Sequence, residues 1–452
     1  MTAPQRPSLV AGDLALVCGL VALKLVIDAL VLRAGFSHVS DDDYARTVIA
    51  QQFAYAPRLD PSGTSWLPLP FWIAGTWMRA FGRSLGASRA IAVVLGALSV
   101  AAPFGAMRAV RVPRIAAGLA TSIAMTLPWS AWLGVATVPD GWTGALIAAG
   151  AVATIDDGAR PWAAVGLLVA ALSRYEAWPA CAVFALFCGM RVVRGARPPA
   201  AEARGAGAPR DVQREIACAV VALAGPALWI AWNVHAHGSA FHFISRVSTF
   251  RRAIGAAEVP WVDKLLGYPR ALLGETPEAA VLGACGGVAM SWSAELRNRW
   301  RWAAASALAI LMFLVAGDLG DGAPTHHPAR ALGPVWWIFA AMGVDTLRVA
   351  TCGSGRTVRA GRAAAVAVAT AWLVSLPSRW AAAPGLSEPE RRDAQIARGL
   401  ELRALGAPAA EITPCQFEHF ALIAAWGEPE RARVHPRTQQ PVTADCPLVT
   451  TP

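Results

Sequence analysis

Residues 9–46 read LVAGDLALVCGLVALKLVIDALVLRAGFSHVSDDDYAR. The run from Leu9 to Leu32 is apolar with few charges, and as a helix rising about 1.5 Å per residue it is long enough to cross about 30 Å of hydrocarbon. Within it Lys24 and Asp28 are four apart, so they share a helix face and are expected to pair inside a bundle. Directly after this run come three consecutive carboxylates, Asp41, Asp42 and Asp43, at the expected membrane surface. In a chain with only 15% charged residues such a cluster needs a reason. Two readings compete. The triplet is an ordinary solvated helix start, favourably opposed to the helix dipole, or part of a catalytic site that the other helices surround.

The rest of the composition agrees with the first span. The 452 residues are 55% hydrophobic, with mean hydropathy +0.43, and the apolar residues come in blocks rather than stripes. This predicts an all-α polytopic membrane protein with about eleven transmembrane helices, rich in the Ala and Gly that let helices approach closely in lipid. After Leu9–Leu32, spans are expected at about Ala90–Val110, Ile115–Val135, Gly141–Ile155, Trp162–Leu172, Trp178–Val193, Ile216–Trp232, Pro277–Trp292, Trp302–Ala316, Ala331–Val349 and Ala363–Trp380. The apolar run at the N-terminus is too long for a signal-peptide core and reads as a retained anchor.

The net charge of +10 does not indicate nucleic acid. The arginines gather in short loops, where they act as orientation signals. With the N-terminus cytoplasmic, the inner loops are Arg108–Arg114, Asp156–Arg160, Arg191–Arg214, Glu295–Arg301 and Arg348–Arg362, and each holds arginine. The Pro/Ala/Gly/Arg-rich 194–214 segment reads as a flexible cytoplasmic linker. On the opposite, extracytoplasmic side fall all the histidines, the Asp triplet, Asp60, Asp140, Arg174, Glu176 and Arg330. The location expected is a bacterial inner membrane.

Residues 33–89 form a long first outer loop. Asp43–Ala54 fits an amphipathic helix capped by Ser40 or Asp41. A stretch from Ala56 through Ser65-Trp66-Leu67-Pro68-Leu69-Pro70 cannot hold a regular helix, and a short apolar helix resumes at Phe71–Phe81. Phe241–Ile254, with Arg246, Arg251 and Arg252, reads as a basic amphipathic helix on the outer leaflet. Two units follow from this pass: a transmembrane domain, 1–381, and a small α/β extracytoplasmic domain, 382–452. In the latter, helices are expected around Glu388–Leu405 and Phe417–Trp426, and Cys415 and Cys446 can pair if they lie close enough.

Several residues can carry chemistry. Arg330, in Thr325-His326-His327-Pro328-Ala329-Arg330, can fork onto a phosphate, with His326 or His327 donating beside it; the competing readings are a snorkelling arginine and loop histidines. Arg174 and Glu176 read first as a structural ion pair, since apolar surroundings make either costly alone. Asp140 reads first as a helix N-cap. His235, His237 and Asp42 are the candidates for a divalent metal (Mg, Mn or Zn), although Gly238-Ser239 breaks the regular spacing that a zinc site uses.

The order of these parts resembles the GT-C superfamily of integral-membrane glycosyltransferases, which includes lipid A aminoarabinose transferases and protein O-mannosyltransferases. The shared order is a first span, an outer loop opening on acids near a Tyr-Ala helix, a Trp/Pro-rich second half of that loop, many spans and a small outer C-terminal domain. The resemblance implies a polyprenyl-phosphate-linked sugar as donor. It places the catalytic carboxylate on Asp41, Asp42 or Asp43, with Asp41 and Asp42 favoured over Asp43; Tyr44 follows the triplet directly, a departure from the family's Asp-Glu pair with a tyrosine four residues on that leaves the choice among the three open. It implies phosphate or substrate contacts from Arg330, His326, His327, Arg174, Glu176, Asp140 and Trp66. The partners implied are membrane lipids and a lipid, glycan or protein acceptor. A transporter or flippase of a lipid-linked sugar is the competing class, but no internal repeat is evident and intramembrane charges are few. A catalytically inactive scaffold of the same fold is the third.

Overall fold

The computed structural model describes residues 11–195, 208–253, 259–322, 327–351, 369–370, 372–382, 392–414, 417–435 and 449–451. Most of these are helical. The first span is α1 (Ala11–Arg33), and the outer-loop helices are α2 (Asp42–Tyr55) and α3 (Leu69–Phe81). α4 (Leu85–Ser99) and α5 (Ala101–Ala109) follow almost without a break, then α6 (Arg114–Thr126) and α7 (Pro128–Val135). The last two were expected as one span. Pro128 lacks an N–H and drives the preceding residue out of the helical region, so Leu127 sits at φ −53°, ψ 140° and the span is split.

Next come α8 (Asp140–Ala153), α9 (Arg160–Ala171), α10 (Ala177–Gly195) and α11 (Ala208–His237). α11 begins within the segment read as a linker. After α12 (His242–Ala253) there is α13 (Trp261–Glu275), a helix that periodicity did not reveal because Gly267 and Pro269 interrupt its pattern. α14 (Pro277–Trp292), α15 (Ala294–Leu319), α16 (Gly333–Thr351) and α17 (372–381) complete the bundle.

Among the described residues, five segments are long and apolar enough to cross a membrane: α1, α4 with α5, α10, α11 and α15. The other described helices at expected span positions are shorter, interrupted or more polar. α8 and α16 show why this suffices: nearly all of α8, and α16 up to Thr346 except Phe339, are buried among other helices. Glycines make the close contacts, with Gly144 of α8 meeting the backbone of Gly333, and Gly343 of α16 meeting Leu282 of α14. The expected Lys24–Asp28 pair is present at 2.8 Å, and Lys24 also donates to the Ser130 carbonyl at 2.9 Å, which locks α1 against α7.

Beyond the bundle lies α18 (Asp393–Ala404), then β1 (Ala410–Thr413), α19 (His419–Trp426), β2 (Ala432–Val434) and β3 (Val449–Thr451). The sheet order is β2-β1-β3, with β1 parallel to β2 and antiparallel to β3, and Ile412 opposite both Val434 and Thr450. Cys415 and Cys446 lie outside the described residues. The core of this C-terminal unit is shared: Leu402, Ile412, Leu422 and Trp426 pack with Tyr44 and Val48 of α2. Gln51 of α2 donates to the Ala424 carbonyl at 2.8 Å, and Arg83 bridges to Glu428 and Glu430 at 2.8 Å each. The unit is therefore built onto α2.

One glycine makes this dependence testable. A Cβ on Gly399 would stand 2.2 Å from the Leu422 carbonyl oxygen, which is backbone and cannot rotate away. Gly399→Ala is expected to force α18 off α19 at a cost of about 1–3 kcal/mol. Limited proteolysis should then cut the C-terminal unit faster than in wild type.

Candidate active site

Four separate segments meet where α2 begins. The three aspartates do not act as one unit, because consecutive helical residues point about 100° apart. Asp41 turns to the C-terminal unit, where Arg392 donates from Nε and Nη2, each at 2.9 Å. Asp43 turns inward and is buried. It accepts from the backbone N–H of Val39 at 3.0 Å and of Thr137 at 2.7 Å, and from the Thr137 hydroxyl at 3.1 Å. That carboxylate ties the start of α2 to the loop before α8. The expected side-chain cap from Asp41 is not made.

Asp42 faces the interior cluster. It accepts from Arg330 Nη2 at 2.8 Å while 35% of its side chain stays exposed. Arg330 is presented by a 3₁₀ turn, Pro328–Leu332, entered through His327 at φ 52°. Its Nη1 donates to Ser40 Oγ at 3.2 Å, and its Nε lies 3.5 Å from Asp140 Oδ1. Asp140 opens α8 but caps nothing, contrary to the sequence reading. Its carboxylate instead lies between Arg330 and Arg174, whose Nη2 is 3.2 Å away. Arg174 also forks onto Glu176, at 3.0 Å and 2.5 Å. The ion pair expected there is formed, and Asp140 extends it.

Arg46, one turn along α2 from Asp42, is the residue the sequence reading passed over. It is 5% exposed. Its guanidinium carbon sits 4.5 Å from the ring centre of Trp66 and 5.6 Å from that of Phe71, held by the Pro-rich loop and α3. Neither its Nε nor its Nη1 makes a hydrogen bond, and the same holds for both Asp140 carboxylate oxygens and Arg330 Nε. Buried polar atoms normally find partners. Asp140 Oδ1 and Arg330 Nε still face each other at 3.5 Å, and Arg174 stands 3.2 Å from Asp140 Oδ1, whereas Arg46 Nε and Nη1 have no ion-pair contact among the described residues; these two nitrogens are offered to something other than protein. A cavity of about 10 Å³, lined by Asp140, Thr143, Arg174, Glu176 and Arg330 among others but not by Arg46, lies beside the Asp140 carboxylate.

The electrostatics separate the three arginines. Burial disfavours charge on all of them. For Arg174, Asp140 and Glu176 outweigh burial and hold the guanidinium above its ordinary pKa. Asp140 and Asp42 do the same for Arg330. Arg46 has no such neighbour at close range, and burial together with the nearby charge of Arg174 pushes it down to about 10. It remains charged at neutral pH, but it is the least compensated of the three.

The remaining candidates are placed elsewhere. His327 packs its ring on Trp129, with centroids 5.4 Å apart, and His326 lies outside the described residues. His237 stacks on His242 at 4.0 Å, while His235 turns to Trp232. Asp42, His235 and His237 are not brought together, and no group of three His, Cys, Asp or Glu suited to a metal occurs among the described residues. Arg251 of α12, expected at lipid head groups, is instead buried in a 2.6 Å pair with Asp318; Arg246 and Arg252 are exposed.

No protein-family model matches the sequence, and no curated protein matches it. Solved structures do. ArnT from Cupriavidus metallidurans, bound to undecaprenyl phosphate, is similar with a TM-score of 0.54 over 92% of this chain and 75% of its own, at 15% identity. An Archaeoglobus fulgidus oligosaccharyltransferase tethered with an acceptor peptide gives 0.52, over 92% of this chain and 63% of its own, at 11% identity. The chain has the GT-C fold. The same archaeal oligosaccharyltransferase, in complex with Zn and sulfate, is similar at a TM-score of 0.52 over 92% of this chain and 62% of its own, with 12% identity. The chain thus spans three quarters of the ArnT structure but less than two thirds of the oligosaccharyltransferase. In the GT-C fold of this chain, the start of α2 and the starts of α8 and α16 converge on the charged cluster.

Proposed function

We propose that the protein is an inverting glycosyltransferase of the GT-C type. It takes a sugar from a polyprenyl-phosphate donor and passes it to a hydroxyl of a lipid, glycan or protein acceptor. The reaction takes place at the outer face of a bacterial inner membrane, with the N-terminus cytoplasmic and the 382–452 unit outside. One observation carries the reading: Asp42, half-buried, and the buried Asp140, Arg174 and Arg330, remote in sequence, form one charged cluster in a GT-C fold.

In this reading Asp42 is the general base. It accepts the proton of the acceptor hydroxyl as that oxygen attacks the anomeric carbon. The bond from that carbon to the phosphate oxygen breaks, and the pair leaves with the prenyl phosphate. Arg330 holds the Asp42 carboxylate in place through the 2.8 Å contact. Asp140, Arg174 and Glu176 supply fixed charge around the reacting centre in a site with little water. Asp41 is a structural tie to the C-terminal unit.

A divalent metal does not fit this donor set. Asp42 and Asp140 are both engaged by arginines, and two guanidinium groups, those of Arg174 and Arg330, line the cavity, so a dication would meet repulsion rather than a cage. No step is routed through a metal.

Mass spectrometry of lipids and envelope glycans in a deletion strain tests the proposal. Loss of one glycosylated species, restored by the wild-type gene, is the result expected. An unchanged glycan profile with an altered distribution of lipid-linked sugars between leaflets would instead identify a flippase.

A further inference from the structure

We propose that Arg46, packed against Trp66 and Phe71, is the receptor for the phosphate of the lipid ligand, and that Arg330 and Arg174 are not. The chemical class is a prenyl-linked phosphate anion. This identification of the lipid rests on the glycosyltransferase reading; the anion chemistry of the seat does not.

Charge pairing within the cluster supports the assignment. Arg330 is spent on Ser40, Asp42 and Asp140, and Arg174 on Glu176 and Asp140. A phosphate docking on either would have to displace a carboxylate already in place. Arg46 has no carboxylate within ion-pair distance, and two of its nitrogens donate to nothing. A buried guanidinium without hydrogen bonds is unfavourable in the empty protein and becomes favourable once an anion arrives. Arginine is suited to phosphate because its planar fork donates two parallel bonds.

The surroundings select the orientation. Trp66 and Phe71, themselves stacked with ring centres 6.2 Å apart, both hold the guanidinium by cation–π contact and fix where it points. Trp66 is half-buried and belongs to the loop that Asp60 organises by accepting from Gly63 N–H at 3.0 Å. Tyr175 fastens the same loop to the turn after α9 by donating to the Ser65 carbonyl at 2.6 Å. The seat therefore stands on an anchored loop, one helical turn from Asp42, which puts a bound phosphate beside the proposed base.

The test uses purified full-length protein in detergent, with lipid binding read by native mass spectrometry. The probes are a polyprenyl phosphate, the matching polyprenol, phosphatidylglycerol and inorganic phosphate. Wild type should bind the polyprenyl phosphate and discriminate against the polyprenol. Arg46→Gln should weaken polyprenyl-phosphate binding about 10- to 100-fold, the range of a charge-assisted fork, and leave polyprenol binding unchanged. Arg46→Lys, which keeps the charge and loses the fork, should fall between and decides the matter if Arg46→Gln does not fold.

Binding by Arg46→Gln equal to wild type overturns the seat while leaving the glycosyltransferase reading standing. Absence of polyprenyl-phosphate binding in wild type overturns both. Equal competition by phosphatidylglycerol or inorganic phosphate overturns the assignment to a prenyl-linked phosphate.

Discussion

Asp42→Asn lowers glycosyl transfer about 10²- to 10⁴-fold, the usual loss on removing a general base, with the protein still folded. Asn is isosteric and still accepts from Arg330, so the packing around the 2.8 Å contact is kept. Asp41→Asn has a much smaller effect, since it loosens only the tie to Arg392 in the C-terminal unit. Asp43 gives a third signature. Its carboxylate serves backbone and hydroxyl donors at the start of α2, and its loss leaves buried donors unpaired, so yield falls together with activity. Complementation of a deletion strain by each variant, with membrane levels measured in parallel, separates the three. Equal activity for Asp41→Asn and Asp42→Asn would contradict the division of labour.

Arg330→Ala has the largest expected effect on stability. It removes the positive charge from beside Asp42 and from beside the buried Asp140. Deleting one partner of a buried pair costs up to about 3–5 kcal/mol; Asp140 keeps Arg174 at 3.2 Å and Asp42 is partly solvated, so the lower end of that range is expected. The prediction is a lowered unfolding temperature in detergent and transfer below detection. Arg330→Lys keeps the charge but cannot reach Ser40, Asp42 and Asp140 at once, so it recovers part of the stability and little of the activity. An Arg330→Ala protein as stable as wild type would show that the cluster is more solvated than its burial indicates.

Much of the architecture was readable from the sequence for a plain reason. Apolar runs of spanning length admit few structures, so α1, α10 and α15 follow almost from composition. The failures also have causes. Pro128 splits a run that hydropathy joins, and Pro269 with Gly267 conceals α13. At the site, Arg330 was visible as a charge before an apolar helix, and the Arg174–Glu176 pair as two charges in an apolar turn. Asp140 was read as a cap because an acid after Pro139 before a helix is usually one. Its true neighbours come from segments more than thirty residues away.

The Asp triplet and Arg46 mark the limit more sharply. Three identical residues in a row carry no sign of which will face Arg392, Arg330 or Thr137; the loop geometry from Gly35 to Ser40 decides that. Arg46 looked like an ordinary charge on an amphipathic helix. Its signal was present only as the pairing of a basic position one turn after Asp42 with the Trp66–Phe71 stretch, and nothing local joins the two.

The most direct test of the account places the purified wild-type protein in nanodiscs with a polyprenyl-phosphate sugar and an envelope extract as acceptor source, and follows the lipids by mass spectrometry. The account predicts release of free polyprenyl phosphate matched by a glycosylated acceptor, with neither formed by Asp42→Asn. Equal release by the Asp42→Asn protein, or binding of the donor with no transfer by wild type to any extract component, would contradict it.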